Sequence, residues 1–239
     1  MQLSDLETRV SQRLAEGQTG PVFYPQSQIQ GALNEGLRLW VLLTLGLEQV
    51  AQWTIPPNTT FFHMLAYLAD WIVPLRITTA SGAKIRPAKI QDLKALDQNW
   101  IASPLPADTP PSRYGRAGAD LLWFYGQPSG AGIVVNVTYA RAPVTMASAT
   151  DVPEMPIEYH PVLIGYAISA LRQVEGGQEF AKTLAGLQDF FDAAKKYGNY
   201  VRARNRGSQY DVAPFELESF DVSTLLKLRR DLMPAREAS

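Results

Sequence analysis

Apolar residues change their spacing twice along this chain, and that double change limits the folds open to it. From Leu3 to about residue 52 they recur at three- and four-residue steps. After Pro56-Pro57 they alternate, and after Pro153 and Pro156 the helical steps return. A first helix carries Leu3, Leu6, Val10 and Leu14, with Ser4 and Glu7 spaced as a capping box. A second starts near Pro25 and carries Ile29, Ala32, Leu33, Leu37, Trp40, Leu43, Leu47 and Val50. Tyr159, Leu163, Tyr166 and Leu171 mark a third. Leu184, Leu187, Phe191, Ala194 and Tyr197 mark a fourth that runs on toward Arg206. No one of these helices can bury its stripe alone. The expected fold is therefore α+β: a mainly α-helical bundle built from both chain ends (1–52 and 150–207), a β-rich insert (53–149) and an extended C-terminal arm (208–239).

Within the insert, Val73, Leu75 and Ile77 alternate, Ser81-Gly82 reads as a turn, and Lys84 to Arg86 as the returning strand. Ile90 to Asp97 has one or two helical turns. Pro104, Pro106, Pro110 and Pro111 punctuate a loop. Leu121–Tyr125 and Ile133–Tyr139 then read as a hairpin around the glycine-rich stretch 126–132.

The chemistry on offer is narrow. Among 239 residues there is no cysteine, which removes disulfides, thiolate catalysis, iron–sulfur clusters and cysteine-bound zinc. The two histidines, His63 and His160, stand too far apart for a short metal motif. His160 could be a base oriented by Glu154 or Glu158, but the start of a helix more commonly uses such a residue for packing or capping. His63 has no obvious carboxylate partner. The glycine-rich stretch lacks the Lys-Ser/Thr ending of a P-loop and precedes a strand, and no G-x-S-x-G elbow occurs. The reading is a non-enzyme with no catalytic residue, no metal site and no cofactor. A net charge of −1 excludes a broad basic footprint for nucleic acid. Leu39–Leu47 is the longest apolar helical run, far short of the roughly 20 residues of a membrane span. With no secretory signal visible at the N-terminus, no membrane partner is expected.

Two features ask for more. Lys195, Lys196, Arg202, Arg204 and Arg206 form a basic run with no acidic residue between them. It reads either as a solvated helix end or as a surface for DNA phosphates or an acidic protein, since Tyr197, Tyr200 and Val201 interleave with the charges. Beyond Gly207 periodicity collapses, yet Tyr210, Phe215, Leu217, Phe220, Leu225, Leu226 and Leu228 remain. A segment that orders against a neighbouring subunit or another partner carries such residues; a solvated tail rarely does.

The opening Leu6-x3-Val10-x3-Leu14, followed by Tyr24-Pro25-x3-Ile29-x2-Ala32-Leu33-Asn34-Glu35-Gly36-Leu37, resembles that of the head-to-tail connector (adaptor, or head-completion) proteins of tailed bacteriophages. Asp151-Val152-Pro153-Glu154-Met155-Pro156-x2-Tyr159-His160-Pro161 is similar to the acidic, proline-bounded lead into that family's third helix. The resemblance covers about 1–52 and 150–207. It implies a structural virion protein without catalysis, located in the neck between capsid and tail and assembled in the host cytoplasm. It implies a self-assembled, commonly dodecameric ring under the portal protein. Such a ring extends the channel for packaged DNA and docks the tail or the next neck protein. The resemblance also implies that the seven apolar residues of the arm bind the portal. The basic run would then face the DNA channel or an acidic partner. Another neck or tail-terminator ring protein, and a non-viral helical binding module, are the alternatives.

Overall fold

The structure, a computed structural model of the chain, describes residues 1–14, 23–102, 104–106, 109–118, 120–129, 132–173 and 177–205. Its helices are α1 (Leu3–Arg13), α2 (Gln26–Thr44), α3 (Ile90–Leu96), α4 (His160–Gln173) and α5 (Gly177–Asn205). Its strands are β1 (Glu48–Ile55), β2 (Phe61–His63), β3 (Trp71–Thr79), β4 (Lys84–Pro87), β5 (Arg113–Arg116), β6 (Leu121–Phe124) and β7 (Ile133–Arg141). The chain divides into two compact units. Among the described residues, one comprises 1–44 and 144–200 and the other 45–143 and 201–205.

The fold is α+β with a single mixed sheet of seven strands, ordered β1-β7-β3-β4-β5-β6-β2, and this overturns the expected mainly helical bundle. The error has a local cause. Leu47 and Val50 continue the apolar steps of α2, but the helix stops at Thr44, where Leu45 takes the left-handed φ of 49° and Gly46 follows. Ala51, Trp53 and Ile55 then follow the two-residue period of β1, with Val50 turned to the other face. β2 and β5, at three and four residues, are too short to announce a period.

Strands β4 and β5 pair in parallel, and the other neighbours are antiparallel. The sheet curls. β1 and β2 end the strand order on opposite sides, yet the Trp53 and Phe62 rings meet edge-on at 5.0 Å. Both belong to one interior with Ile77, Tyr114, Phe124, Val135, Val137 and Tyr139. The result is an incomplete barrel filled with side chains. Register shifts in β3 between Trp71 and Val73, and between Pro74 and Arg76, add the local bend such closure needs.

The β3–β4 hairpin and α3 form as expected, with Gly82 at φ 89° in the turn. The β6–β7 hairpin does not. β6 pairs with β5 and β2, and β7 pairs with β1 and β3. After β6 the loop instead fastens to the proline-punctuated segment. Leu105 N–H donates to the Gln127 carbonyl at 2.8 Å, and Ser129 Oγ donates to the Leu105 carbonyl at 2.8 Å. Outside the barrel, Leu93, Trp100 and Trp123 form a second buried cluster with Phe61, Ile90 and Tyr125 beside it.

In the helical unit, Gln2 N–H donates to the Asp5 carboxylate at 3.0 Å, so the box that starts α1 lies two residues ahead of Ser4–Glu7. Glu7 turns inward and accepts from Gln26 Nε2 at 2.8 Å. Trp40 of α2 is buried among Tyr159, Phe190 and Tyr197. Asn34, also buried, clamps the returning chain: its amide donates to the Met146 carbonyl at 3.0 Å and its carbonyl accepts the Met146 N–H at 2.8 Å. Glycines let α4 and α5 approach closely. A Cβ on Gly186 would lie 2.6 Å from Ser169 Oγ and 3.0 Å from the Gly165 carbonyl oxygen.

Candidate interaction surfaces

His160 opens α4 and is 1% exposed. Its Nδ1 lies 3.1 Å from the Met1 amine and its Nε2 lies 3.2 Å from the Met155 carbonyl. The Glu154 carboxylate accepts the Val144 N–H at 2.8 Å. The ring is spent on packing and on joining the chain start to the segment before α4, as the packing reading expects.

Burial pushes His160 below its ordinary pKa. The Met155 hydrogen bond and Glu158 oppose that shift, and the terminal amine reinforces it. The unfolded chain therefore takes up a proton near pH 6.5, while the folded one resists until lower pH. Stability tied to this group is fully present above about pH 6.5 and is lost as the pH falls through the lowered folded value. Denaturation midpoints between pH 7.5 and 5 are expected to fall in the parent chain and to fall less in His160→Gln. Equal slopes in the two proteins would contradict this account.

His63 does have a carboxylate partner. Asp120 Oδ2 stands 3.2 Å from its Nδ1, where the β2–β6 pairing brings residues distant in sequence together. The pair sits at the surface, with the His63 side chain 73% exposed. Among the described residues no cluster of three His, Asp or Glu could hold a metal ion, and no helix is long and apolar enough to cross a membrane. Two buried phenols are held by carboxylates. Tyr139 donates to Asp70 at 2.8 Å and Tyr166 to Glu35 at 3.1 Å. Desolvation, helped by that neighbour, pushes Tyr139 up to about 12 and raises Tyr166 as well, so both stay protonated and structural.

The basic run does not gather on one face. At about 100° per residue, Lys195 and Arg202 share a stripe, Lys196 stands a quarter-turn away, and Arg204 points to the opposite side. Lys196 is exposed, while Lys195 and Arg202 are half-buried. Arg204 is engaged, with its Nη2 2.7 Å from Glu48 Oε1. Tyr200, 59% exposed, stacks on Tyr197 with ring centroids 6.1 Å apart. Arg206 and the arm residues Tyr210, Phe215, Leu217, Phe220, Leu225, Leu226 and Leu228 lie outside the described residues.

Sequence reasoning passed over a second apolar surface. Val144, Val152 and Ile157 are 66%, 55% and 71% exposed on the segment that leads into α4. Asn34 and the backbone of α1 hold that segment: Leu3 N–H donates to the Asp151 carbonyl at 2.7 Å, and Ser4 N–H to the Ala149 carbonyl at 3.1 Å. The available signal was the set of prolines at 143, 153 and 156, which brackets apolar residues that no periodic element could absorb.

The described residues thus form a buttressed helical unit and a small side-chain-filled barrel, with exposed apolar groups on fixed loops. The chain matches the family described as SU10 adaptor protein over residues 1–213. It belongs to that family and is a phage head-to-tail adaptor protein. No curated protein matches it. The family is a structural one of the virion, normally without enzymatic activity, and works through contacts with other phage head and tail proteins.

Proposed function

We propose that the protein forms a ring, commonly dodecameric in such proteins, beneath the portal. That ring extends the DNA channel and presents the docking surface for the tail or next neck protein. The family match over residues 1–213 carries this reading. The exposed apolar residues on fixed loops support it, because a ring subunit needs rigid contact faces. In this reading the arm from 208 binds the portal through Tyr210, Phe215, Leu217, Phe220, Leu225, Leu226 and Leu228. Light scattering after size exclusion, alone and with the portal, is the test. A monomer that ignores the portal at every concentration would overturn the reading.

In the same reading Lys195, Lys196, Arg202, Arg204 and Arg206 face the DNA channel or an acidic partner, with Lys195 and Arg202 on the one stripe of α5 they share. Replacing Lys195, Lys196 and Arg202 with Gln is expected to leave ring assembly intact and to weaken DNA binding, with the salt slope falling by about 1 per lost phosphate contact. An unchanged slope would remove these residues from the channel.

A further inference from the structure

We propose that the β4–β5 corner of the barrel is a docking site for an acidic peptide segment of another protein. The site starts from a ladder that sets like charges side by side. Strands β4 and β5 pair in parallel, with Arg86 opposite Arg113 and Pro87 opposite Tyr114. Backbone bonds carry the pairing past the end of β4: Arg86 N–H donates to the Ser112 carbonyl at 3.1 Å and Ala88 N–H to the Tyr114 carbonyl at 2.7 Å. That register brings Lys89 alongside Arg116, and both line a cleft of about 540 Å³. Two cationic rungs therefore follow one another, roughly 10 Å apart along the strands. Like charges on neighbouring strands destabilise a sheet. Among the described residues none of Arg86, Lys89, Arg113 and Arg116 has an ion pair to offset this. Arg86, Lys89 and Arg116 are exposed, and Arg113 is half-buried. An external anion is the group that relieves such rungs.

The surroundings favour a peptide carboxylate over duplex DNA. Ala88, Ile90 and Gln91 share the wall of the cleft with the two cations. Apolar and amide surface beside charge suits peptide side chains, whereas a phosphate backbone uses the charge alone. Arginine holds all but one of the positions, and its planar fork meets a carboxylate with paired hydrogen bonds. Duplex DNA carries a charge about every 1.7 Å and calls for a broad cationic face. Asp92, exposed on the helix that follows Lys89, and Asp120, shortly after Gly118 of the cleft, interrupt any such face. A short segment with a few carboxylates makes no such demand. The site lies wholly within the barrel and depends on neither the ring nor the arm reading.

Fluorescence anisotropy of a labelled peptide of alternating Glu and Ser, titrated with the full chain at about 0.15 M salt, tests this. A Gln-Ser peptide and a DNA duplex are titrated beside it. The parent chain is expected to bind the Glu peptide and to ignore the Gln peptide. Arg86→Gln with Arg113→Gln, and Lys89→Gln with Arg116→Gln, should each weaken binding at least about tenfold. Arg9→Gln with Arg13→Gln, at exposed cations of α1, should leave it unchanged. Urea midpoints should hold or rise in the two β4–β5 variants, because each relieves a repulsion. A lower midpoint would assign the rungs to folding and overturn the proposal. No binding of the Glu peptide, or an equal loss in the α1 variant, overturns it too. So does a duplex that displaces the peptide and is itself released by the same two variants.

Discussion

A variant ending at Gly207 is expected to keep the helical and strand content of the full chain and to lose attachment to the portal. The segment removed carries seven large apolar side chains. Burying one such side chain contributes about 1.5–3 kcal/mol, so three or four docked anchors offset much of the entropy of ordering the arm. A ring presents many arms to one portal, which multiplies the effect without new kinds of contact. Sedimentation of the ring with portal assemblies, beside circular dichroism of the isolated variant, reads both halves of the expectation. Co-sedimentation at the full-length level would move the anchor to another surface, and the exposed Val144, Val152 and Ile157 would be the first place to look.

Gly115→Ala is expected to cost roughly 2–4 kcal/mol, a large effect for one methyl group. Gly115 sits on β5 opposite Trp123 of β6, and a Cβ there would fall inside the indole and against the Ala88 carbonyl oxygen. Trp123 is fully buried and tilted against Trp100, with ring centroids 5.1 Å apart, so it has little room to yield. The Ala88 backbone is held in turn by its N–H donating to the Tyr114 carbonyl at 2.7 Å. Urea titration should show a lower midpoint at unchanged slope. Pairing the change with Trp123→Leu should recover part of the new loss, because the two substitutions touch. Strict additivity would point to a backbone cause instead.

What the sequence disclosed depended on length. α1, α2, α4 and α5 are long enough for their apolar steps to declare a helix, and β3 is long enough for alternation to declare a strand. β2 and β5 are not, so the number of strands was under-read and the balance tipped toward a helical bundle. Leu47 and Val50 prolong the helical steps of α2, but the chain leaves the helix at Leu45, in a conformation that a leucine rarely takes. Partner choice in the sheet was equally hidden. Neighbouring strands in sequence pair by default, and the clasp of Leu105 to Gln127 and Ser129 is a long-range feature with no local mark. The basic run shows the opposite failing. It is a cluster in sequence that helical geometry disperses around α5.

The root of the barrel has a mechanical consequence. Glu48 pairs with Ala140 in an antiparallel ladder, and Arg141 N–H donates to the Leu47 carbonyl at 3.0 Å, so the incoming and outgoing chains are stitched together at one end. A tension that separates residues 44 and 144 meets these hydrogen bonds one after another, starting at Leu47–Arg141, and the ladder opens like a zip. Had the pulling points lain at opposite ends of β1 and β7, the bonds would have been loaded together in shear. Resistance at this root is therefore set by its weakest single bond at each step, and a pull that opens the ladder reaches the barrel interior only when it arrives at Trp53 and Ile55.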